Sequence, residues 1–120
     1  MPSESVLVID DNAISCEALQ ALLSSSGITA ECCTNGMAAL NCARRRHYTT
    51  FLINYRMPVL RGDDLARLLR IEHPDTFIVG FSIASKEAVF RNAGADNFLS
   101  KEDLVQKVIP LITGKKRLVT

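Results

Sequence analysis

The sequence predicts an α/β protein, a single doubly wound sheet of five parallel strands with five helices. Short apolar runs of strand length recur along the chain, and each is followed by a segment whose apolar residues have helical spacing. Five such pairs fit into 120 residues, a length typical of one domain with one core. Hydrophobic residues make up 48% of the chain and charged residues 22%, which is a globular rather than a disordered composition.

The first strand is the unbroken apolar run Val6–Ile9, which suits a strand that is covered on both faces. A helix is predicted from about Ala13 to Ser25, with Asn12 as its N-cap and Gly27 as its stop. The expected buried stripe of this helix consists of Ile14, Ala18, Leu19, Leu22 and Leu23.

The second strand, Ile28–Cys33, is less apolar and is expected nearer an edge of the sheet. The turn signal Asn35-Gly36 follows it. The next helix ends in the basic run Arg44–His47, whose cations complement the helix dipole, and we prefer this interpretation to a nucleic-acid patch. Its residues predicted to point inward are Ala39, Leu40 and Ala43.

The third strand, Phe51–Ile53, ends at Asn54 and leads into a loop with Met57-Pro58. The third helix is expected to open at Gly62 and to stop at His73-Pro74, because the residue before a proline disfavours helical geometry. Its predicted buried residues are Leu65, Leu68 and Leu69.

The fourth strand, Phe77–Phe81, has Ser82 at its carboxyl end. A brief helix from about Ser85 to Asn92 follows and is closed by Gly94. The fifth strand, Phe98-Leu99, is short, and Lys101 comes after it.

The last helix is predicted from about Glu102 to Thr113, with Pro110 removing one backbone hydrogen bond and bending it. We therefore predict one domain over residues 1–113, and a basic tail or the start of a linker over residues 114–120. The side chains expected to face the core are Leu104, Val105, Val108, Ile109 and Ile112.

Charge and cysteine content exclude several classes of protein. The formal net charge of +1 favours neither direct nucleic-acid binding nor a disordered acidic chain. The N-terminus lacks the pattern of a signal peptide, and no apolar run approaches the roughly 20 residues of a membrane span. We expect a cytoplasmic protein, without membrane contact, whose four cysteines are reduced and mostly buried.

Polar side chains cluster at the predicted strand ends. Asp10 and Asp11 follow the first strand, Asn54 ends the third, Ser82 ends the fourth and Lys101 follows the fifth. Functional groups of an open parallel sheet gather at the carboxyl ends of its strands. Two carboxylates, a hydroxyl and an ammonium group at one crevice would suit a divalent cation and a phosphoryl group.

These residues, in this order, resemble the receiver domains of response regulators in two-component signalling. The resemblance extends from Val6 to Thr113, and it implies the flavodoxin-like, receiver-type version of the fold. It rests on Val8-Ile9-Asp10-Asp11-Asn12, on Met57-Pro58 and Gly62, and on Gly94-Ala95-Asp96 followed by Phe98 and Lys101.

The resemblance also implies roles for individual residues. Asp10 and Asp11 match the acidic pair that holds Mg²⁺ in the family. Ser82 matches the hydroxyl that senses the phosphoryl group, Lys101 matches the phosphate-binding lysine, and Phe98 matches the aromatic switch. Each residue also has a plainer interpretation: a helix-capping pair, a strand-end hydroxyl, a solvated lysine and a fixed core aromatic.

The main departure from the family lies at Asn54, where the family has its phosphoryl-accepting aspartate. A neutral amide is a poor nucleophile toward phosphorus. Its presence also leaves two carboxylates instead of three, so Mg²⁺ is possible but weakly bound.

Three smaller departures accompany this one. Glu102 stands where the family usually has proline, and Arg56 stands where a backbone carbonyl normally reaches the metal. The Arg56 side chain is expected to lie over the two aspartates as a substitute cation. The sixteen positions from Ser82 to Phe98 are short by about one helical turn, within or before the fourth helix.

The leading hypothesis is a receiver-like, non-enzymatic module that is not phosphorylated and that binds or regulates proteins. The resemblance implies a histidine kinase, phosphotransfer protein or output domain as partner, through the fourth helix, fifth strand and fifth helix. A second hypothesis is an ordinary phospho-accepting receiver with an engineered Asp-to-Asn change. A third is a small enzyme or flavin-binding domain on the same fold, against which the lack of a glycine-rich loop after the first strand argues.

Overall fold

Strands and helices alternate along the whole part of the chain that the computed structural model describes, residues 3–115. The strands are β1 Ser5–Ile9, β2 Thr29–Cys33, β3 Thr50–Asn54, β4 Phe77–Ser82 and β5 Asn97–Ser100. The helices are α1 Ala13–Ser24, α2 Gly36–Arg45, α3 Gly62–Glu72, α4 Glu87–Asn92 and α5 Lys101–Gly114. The five predicted pairs are confirmed.

The five strands form one parallel sheet in the order β2-β1-β3-β4-β5. β2 therefore lies at an edge, as its weaker apolarity predicts. The strand order reverses direction at β1 and β3, and this reversal is the feature that places a functional crevice above their carboxyl ends. The predicted doubly wound α/β class is confirmed.

Helices cover both faces of the sheet, and each face has its own apolar core. One core joins α2, α3 and α4 to strand residues such as Leu7, Phe51 and Ile53, and the other joins α1 and α5 to Val8 and Leu52. Neighbouring residues of one strand thus serve opposite cores, because side chains alternate across a strand. Burial on both faces explains the continuous apolar runs.

Capping side chains define where three helices begin. The Asn12 side chain accepts a hydrogen bond from the Ser15 backbone N–H at 3.0 Å, which confirms the predicted cap of α1. Asn35 does the same for α2, and Ser100 for α5. Each cap satisfies a backbone donor that the first helical turn leaves without a partner.

Four of the predicted inward-facing residues are wrong. Ile14, Ala18, Leu68 and Val105 are exposed, whereas α1 buries Cys16 and α3 buries Ala66 instead. In each helix the buried stripe is narrower than the apolar pattern, since a helix that packs against one sheet face buries only part of its circumference.

The C-terminal helix continues through Pro110, which lies at an exposed position of α5. The helix extends to Gly114, one residue beyond the predicted end, and Lys115 has left-handed backbone geometry. The predicted domain boundary stays a prediction, and most of the predicted tail lies outside the described residues. None of the helices within residues 3–115 has the length and apolarity to cross a membrane.

Candidate functional site

The sequence-predicted polar residues lie along the carboxyl edge of the sheet. Asp10 directly follows β1, Asn54 ends β3, Ser82 ends β4 and Lys101 begins α5 directly after β5. These four strands are consecutive in the sheet. Asp10, Asn54 and Ser82 are buried, whereas Lys101 is half-buried and Asp11 is exposed.

The Asn54 side chain points its amide nitrogen at three oxygen atoms. Nδ2 donates to the backbone carbonyl of Arg56 at 2.9 Å, and it lies 3.4 Å from Oδ1 of Asp10 and 3.4 Å from Oδ1 of Asp11. The position surrounded by these oxygens is thus occupied by an N–H donor. An amide can make these contacts as a neutral donor, whereas an aspartate at this position would add a third acceptor.

Asp10 is fully buried, and burial raises the pKa of its carboxyl group. The backbone N–H of Asn12 donates to Oδ1 at 3.0 Å and opposes this rise, as does the charge of Lys101. The other carboxylate oxygen, Oδ2, is buried without a hydrogen-bond partner among residues 3–115. A water molecule or a cation would satisfy this atom.

The expectation that the Arg56 side chain covers the two aspartates is not met. This side chain is exposed and forms no ion pair with Asp10 or Asp11 in the described part of the chain. Only its backbone carbonyl reaches the cluster, through Asn54. The Lys101 Nζ lies over the Phe81 ring, 5.8 Å from its centroid, and acts on Asp10 through its charge.

Gly62 fixes the loop that follows Asn54. Its backbone N–H donates to the carbonyl of Tyr55 at 2.8 Å, and a Cβ atom at this position would lie 2.1 Å from the backbone oxygen of Asn54. No side chain fits there, so the start of α3 can approach the site only because residue 62 is glycine. The same loop holds Val59 at a positive φ of 68° with its side chain fully exposed.

A row of aromatic rings beside the site was not predicted from the sequence. Tyr55 lies under two cations, with Lys86 Nζ at 4.8 Å and the Arg61 guanidinium at 5.3 Å from its ring centroid. Its ring packs against Phe90, which in turn lies 5.9 Å from Phe98. No spacing signal could have found this row, because its three rings come from one loop, one helix and one strand.

The fourth helix is short, as the spacing from Ser82 to Phe98 predicts. It has six residues, Glu87–Asn92, and only Phe90 is buried in it. The Phe90 ring lies against the backbone of Gly80, where an added Cβ would come within 2.3 Å of it. One aromatic side chain thus anchors most of this helix to the sheet.

No group of three or more His, Cys, Asp or Glu side chains is placed to hold a metal ion within residues 3–115. The carboxylate pair Asp10 and Asp11, with the carbonyl of Arg56, is an oxygen set of the kind that Mg²⁺ prefers. The Asn54 amide hydrogens point into this set, and a cation would have to displace them.

Comparison with known proteins identifies the class to which this doubly wound domain belongs. Residues 6–111 match the family model of the response regulator receiver domain. The chain belongs to this family.

Relatives and solved structures cover nearly the whole chain. The polar-differentiation response regulator DivK of Brucella ovis is 24% identical over 115 residues, covering 92% of this chain and 94% of DivK. The chemotaxis protein CheY4 of Vibrio cholerae has the same fold, with a TM-score of 0.88 at 19% identity, covering 94% of this chain and 98% of that one. The receiver domain of the sensor histidine kinase PA1611 of Pseudomonas aeruginosa, solved with a magnesium ion in its active-site cleft, has a TM-score of 0.83 at 21% identity, covering 94% and 97%.

Proposed function

We propose that this receiver domain does not accept a phosphoryl group and acts in two-component signalling as a protein-interaction or regulatory module. The observation that carries the proposal is the Asn54 amide, which donates toward Asp10, Asp11 and the Arg56 carbonyl. In this proposal Asn54 stands at the phosphoryl-acceptor position of the family.

The chemistry of the amide supports this assignment. A carboxylate attacks phosphorus with a charged oxygen and gives an acyl phosphate, whereas the amide has no charge and no comparable product. The Asn54 nitrogen also faces the acidic pair. Its hydrogens therefore occupy the space in which an attacking carboxylate oxygen and a bound cation would meet. Mg²⁺ binding is accordingly weak, with Asp10 and Asp11 as the remaining ligands and the open Oδ2 of Asp10 as the atom most available to it.

Ser82, Lys101 and Phe98 then have no phosphoryl group to respond to. In a two-state switch, a ligand must contact the two conformations differently to bias them. Without such a ligand, these residues hold one arrangement, in which Phe98 packs against Phe90. The domain works as a cytoplasmic one-state binder rather than as an enzyme.

The face formed by α4, β5 and α5 is the proposed contact surface for a histidine kinase, a phosphotransfer protein or an output domain. The short α4 gives this face its particular shape, and the half-buried Phe98 and Leu99 lie within it. The exposed α5 residue Lys107 extends it.

Treatment with phosphoramidate and Mg²⁺, followed by intact-mass measurement, tests the proposal. We expect no gain of the about 80 Da that one phosphoryl group adds. The matched variant Asn54→Asp is expected to gain it, because Asp10, Ser82 and Lys101 lie along the same edge of the sheet. A stable gain on the unaltered chain would overturn the proposal, and a variant that also fails would show that the site has lost more than its acceptor.

A further inference from the structure

Two thiols lie in contact on the α2 side of the sheet. The Sγ atoms of Cys33, at the end of β2, and Cys42, in α2, are 3.5 Å apart, and both cysteines are in the free form. Cys33 is buried and Cys42 is half-buried. Reacting atoms at about 3–3.5 Å are within the range of direct attack.

The sheet separates this pair from the other two cysteines. Cys33 belongs to the core on the α2 side, and Cys42 packs against that core, whereas Cys16 and Cys32 belong to the core on the α1 side. The Cys16 thiol donates to the backbone carbonyl of Val8, and the Cys32 thiol donates to the Gln20 side chain. Cys42 is therefore the thiol that Cys33 can reach without crossing the sheet.

We propose that Cys33 and Cys42 form an oxidation site, at which a peroxide or another two-electron thiol oxidant produces an intramolecular disulfide. The sulfur atoms would approach from 3.5 Å to about 2.05 Å. This inference concerns a different face from the Asn54 site and does not depend on the proposed function.

The steps of the reaction follow from the burial of the two thiols. The half-buried Cys42, as its thiolate, attacks one peroxide oxygen and becomes a sulfenic acid while hydroxide leaves. The Cys33 sulfur then attacks the Cys42 sulfur, the S–S bond forms, and the oxygen leaves as water with the proton of Cys33. Two thiols thus lose two electrons, and the peroxide is reduced to two waters.

Burial, together with its contact with Cys42, raises the pKa of Cys33 to about 12. Cys33 therefore stays protonated at neutral pH, and Cys42 is the thiol that meets the oxidant first. The bond would tie α2 to β2 at the same end of the sheet as the Asp10 cluster, where α2 begins against Leu60 of the loop after Asn54.

Chemical cleavage at methionine after oxidation tests the proposal, because Met37 lies between the two cysteines. Diamide is a suitable oxidant, since it takes the same two electrons as it is reduced to a hydrazine and leaves methionine intact. After alkylation, cyanogen bromide separates a fragment ending at Met37, which holds Cys16, Cys32 and Cys33, from residues 38–57, which hold Cys42. A disulfide between Cys16 and Cys32 would not join these fragments.

We expect the oxidised full chain to lose about 2 Da, to fall from four titratable thiols to two, and to keep the two fragments joined until reduction. The link should disappear in Cys42→Ser and Cys33→Ser and persist in the control Cys32→Ser. Each of three outcomes would overturn the proposal: the fragments of the oxidised unaltered chain separate, the link persists in Cys33→Ser, or the link forms only between two chains. If Cys33→Ser does not fold, the unaltered chain and Cys42→Ser still decide the test, because Cys42 is only half-buried.

Discussion

At the scale of single residues, the buried carboxyl group of Asp10 opposes folding at neutral pH. Its pKa is raised by burial above the ordinary value of 3.8. In the interval between the unfolded and folded pKa values, the folded protein holds a proton that the unfolded chain has lost, so stability falls as the pH rises. Above the folded pKa the full cost is present.

Replacing Asp10 with asparagine should therefore stabilise the protein at pH 7. The gain is about 1.4 kcal/mol for each unit by which burial separates the two pKa values, and it should vanish below pH 3.8, where the unaltered residue is neutral in both states. Urea unfolding at several pH values measures it. A loss of stability at pH 7 would contradict the account.

Asp63 is the control for Asp10, because its pKa is shifted in the opposite direction. Its side chain is buried, and the Arg61 guanidinium, bonded to both of its oxygens at 2.6 and 2.9 Å, lowers its pKa. The stability it supplies is present above pH 3.8 and is lost as the pH falls through its lowered pKa. Asp63→Asn should accordingly destabilise the protein at pH 7.

At the scale of elements, the approach of α3 to β3 depends on the missing side chain of Gly62. In Gly62→Ala the new Cβ would lie 2.1 Å from the Asn54 backbone oxygen, so the backbone at the site must move. We expect a loss of about 1–3 kcal/mol, measured by chemical denaturation. Gly114→Ala is the control, because within residues 3–115 nothing lies within 4 Å of its added Cβ beyond its own helical neighbours. A loss in Gly62→Ala as small as the loss in Gly114→Ala would refute the packing argument.

The strands and helices could be predicted well because each has a signal within its own stretch of sequence. Unbroken apolar runs mark strands covered on both faces, and Asn12 marks the start of α1. The exposed Ile14, Ala18, Leu68 and Val105 were placed wrongly, since apolar spacing shows which residues can be buried and not how wide a stripe the sheet covers.

The candidate site was predicted only in outline. Strand order brings Asp10, Asn54 and Ser82 to one edge, and this follows from the fold class. The direction of the Asn54 amide and the exposure of Arg56 depend on loop conformation, for which the sequence has no periodic signal. The expected role of the Arg56 side chain failed for this reason.

At the scale of the whole molecule, Arg70 connects elements that are distant in the chain. Its guanidinium donates to the backbone carbonyls of Gly94, Pro74 and Thr76 and to the carboxylate of Asp96 at 2.7 Å. That carboxylate also accepts from the backbone N–H of Ile78 at 2.9 Å. One half-buried side chain therefore ties α3 to the segments that precede β4 and β5.

Arg70→Ala should cost about 3 kcal/mol, because it removes the charged partner of a buried carboxylate together with three carbonyl contacts. The matched control is Arg67→Ala in the same helix. Arg67 is exposed and donates a hydrogen bond of 3.3 Å to the backbone carbonyl of Asn92, so the stability lost in Arg67→Ala should stay within about 0.5 kcal/mol. Equal losses in thermal unfolding would show that the connection contributes little.

The central claim is that the Asn54 amide occupies the place of a cation between Asp10 and Asp11. It is tested most directly by melting temperatures of the unaltered chain and of Asn54→Asp, each with a chelator and with millimolar Mg²⁺. A cation bound to the native state alone must raise the melting temperature. For the unaltered chain we predict no rise in melting temperature with Mg²⁺. For Asn54→Asp we predict a lower melting temperature in chelator, because three carboxylates repel one another, and a return to the higher value when Mg²⁺ is added. A rise of the unaltered chain equal to that of the variant would contradict the claim.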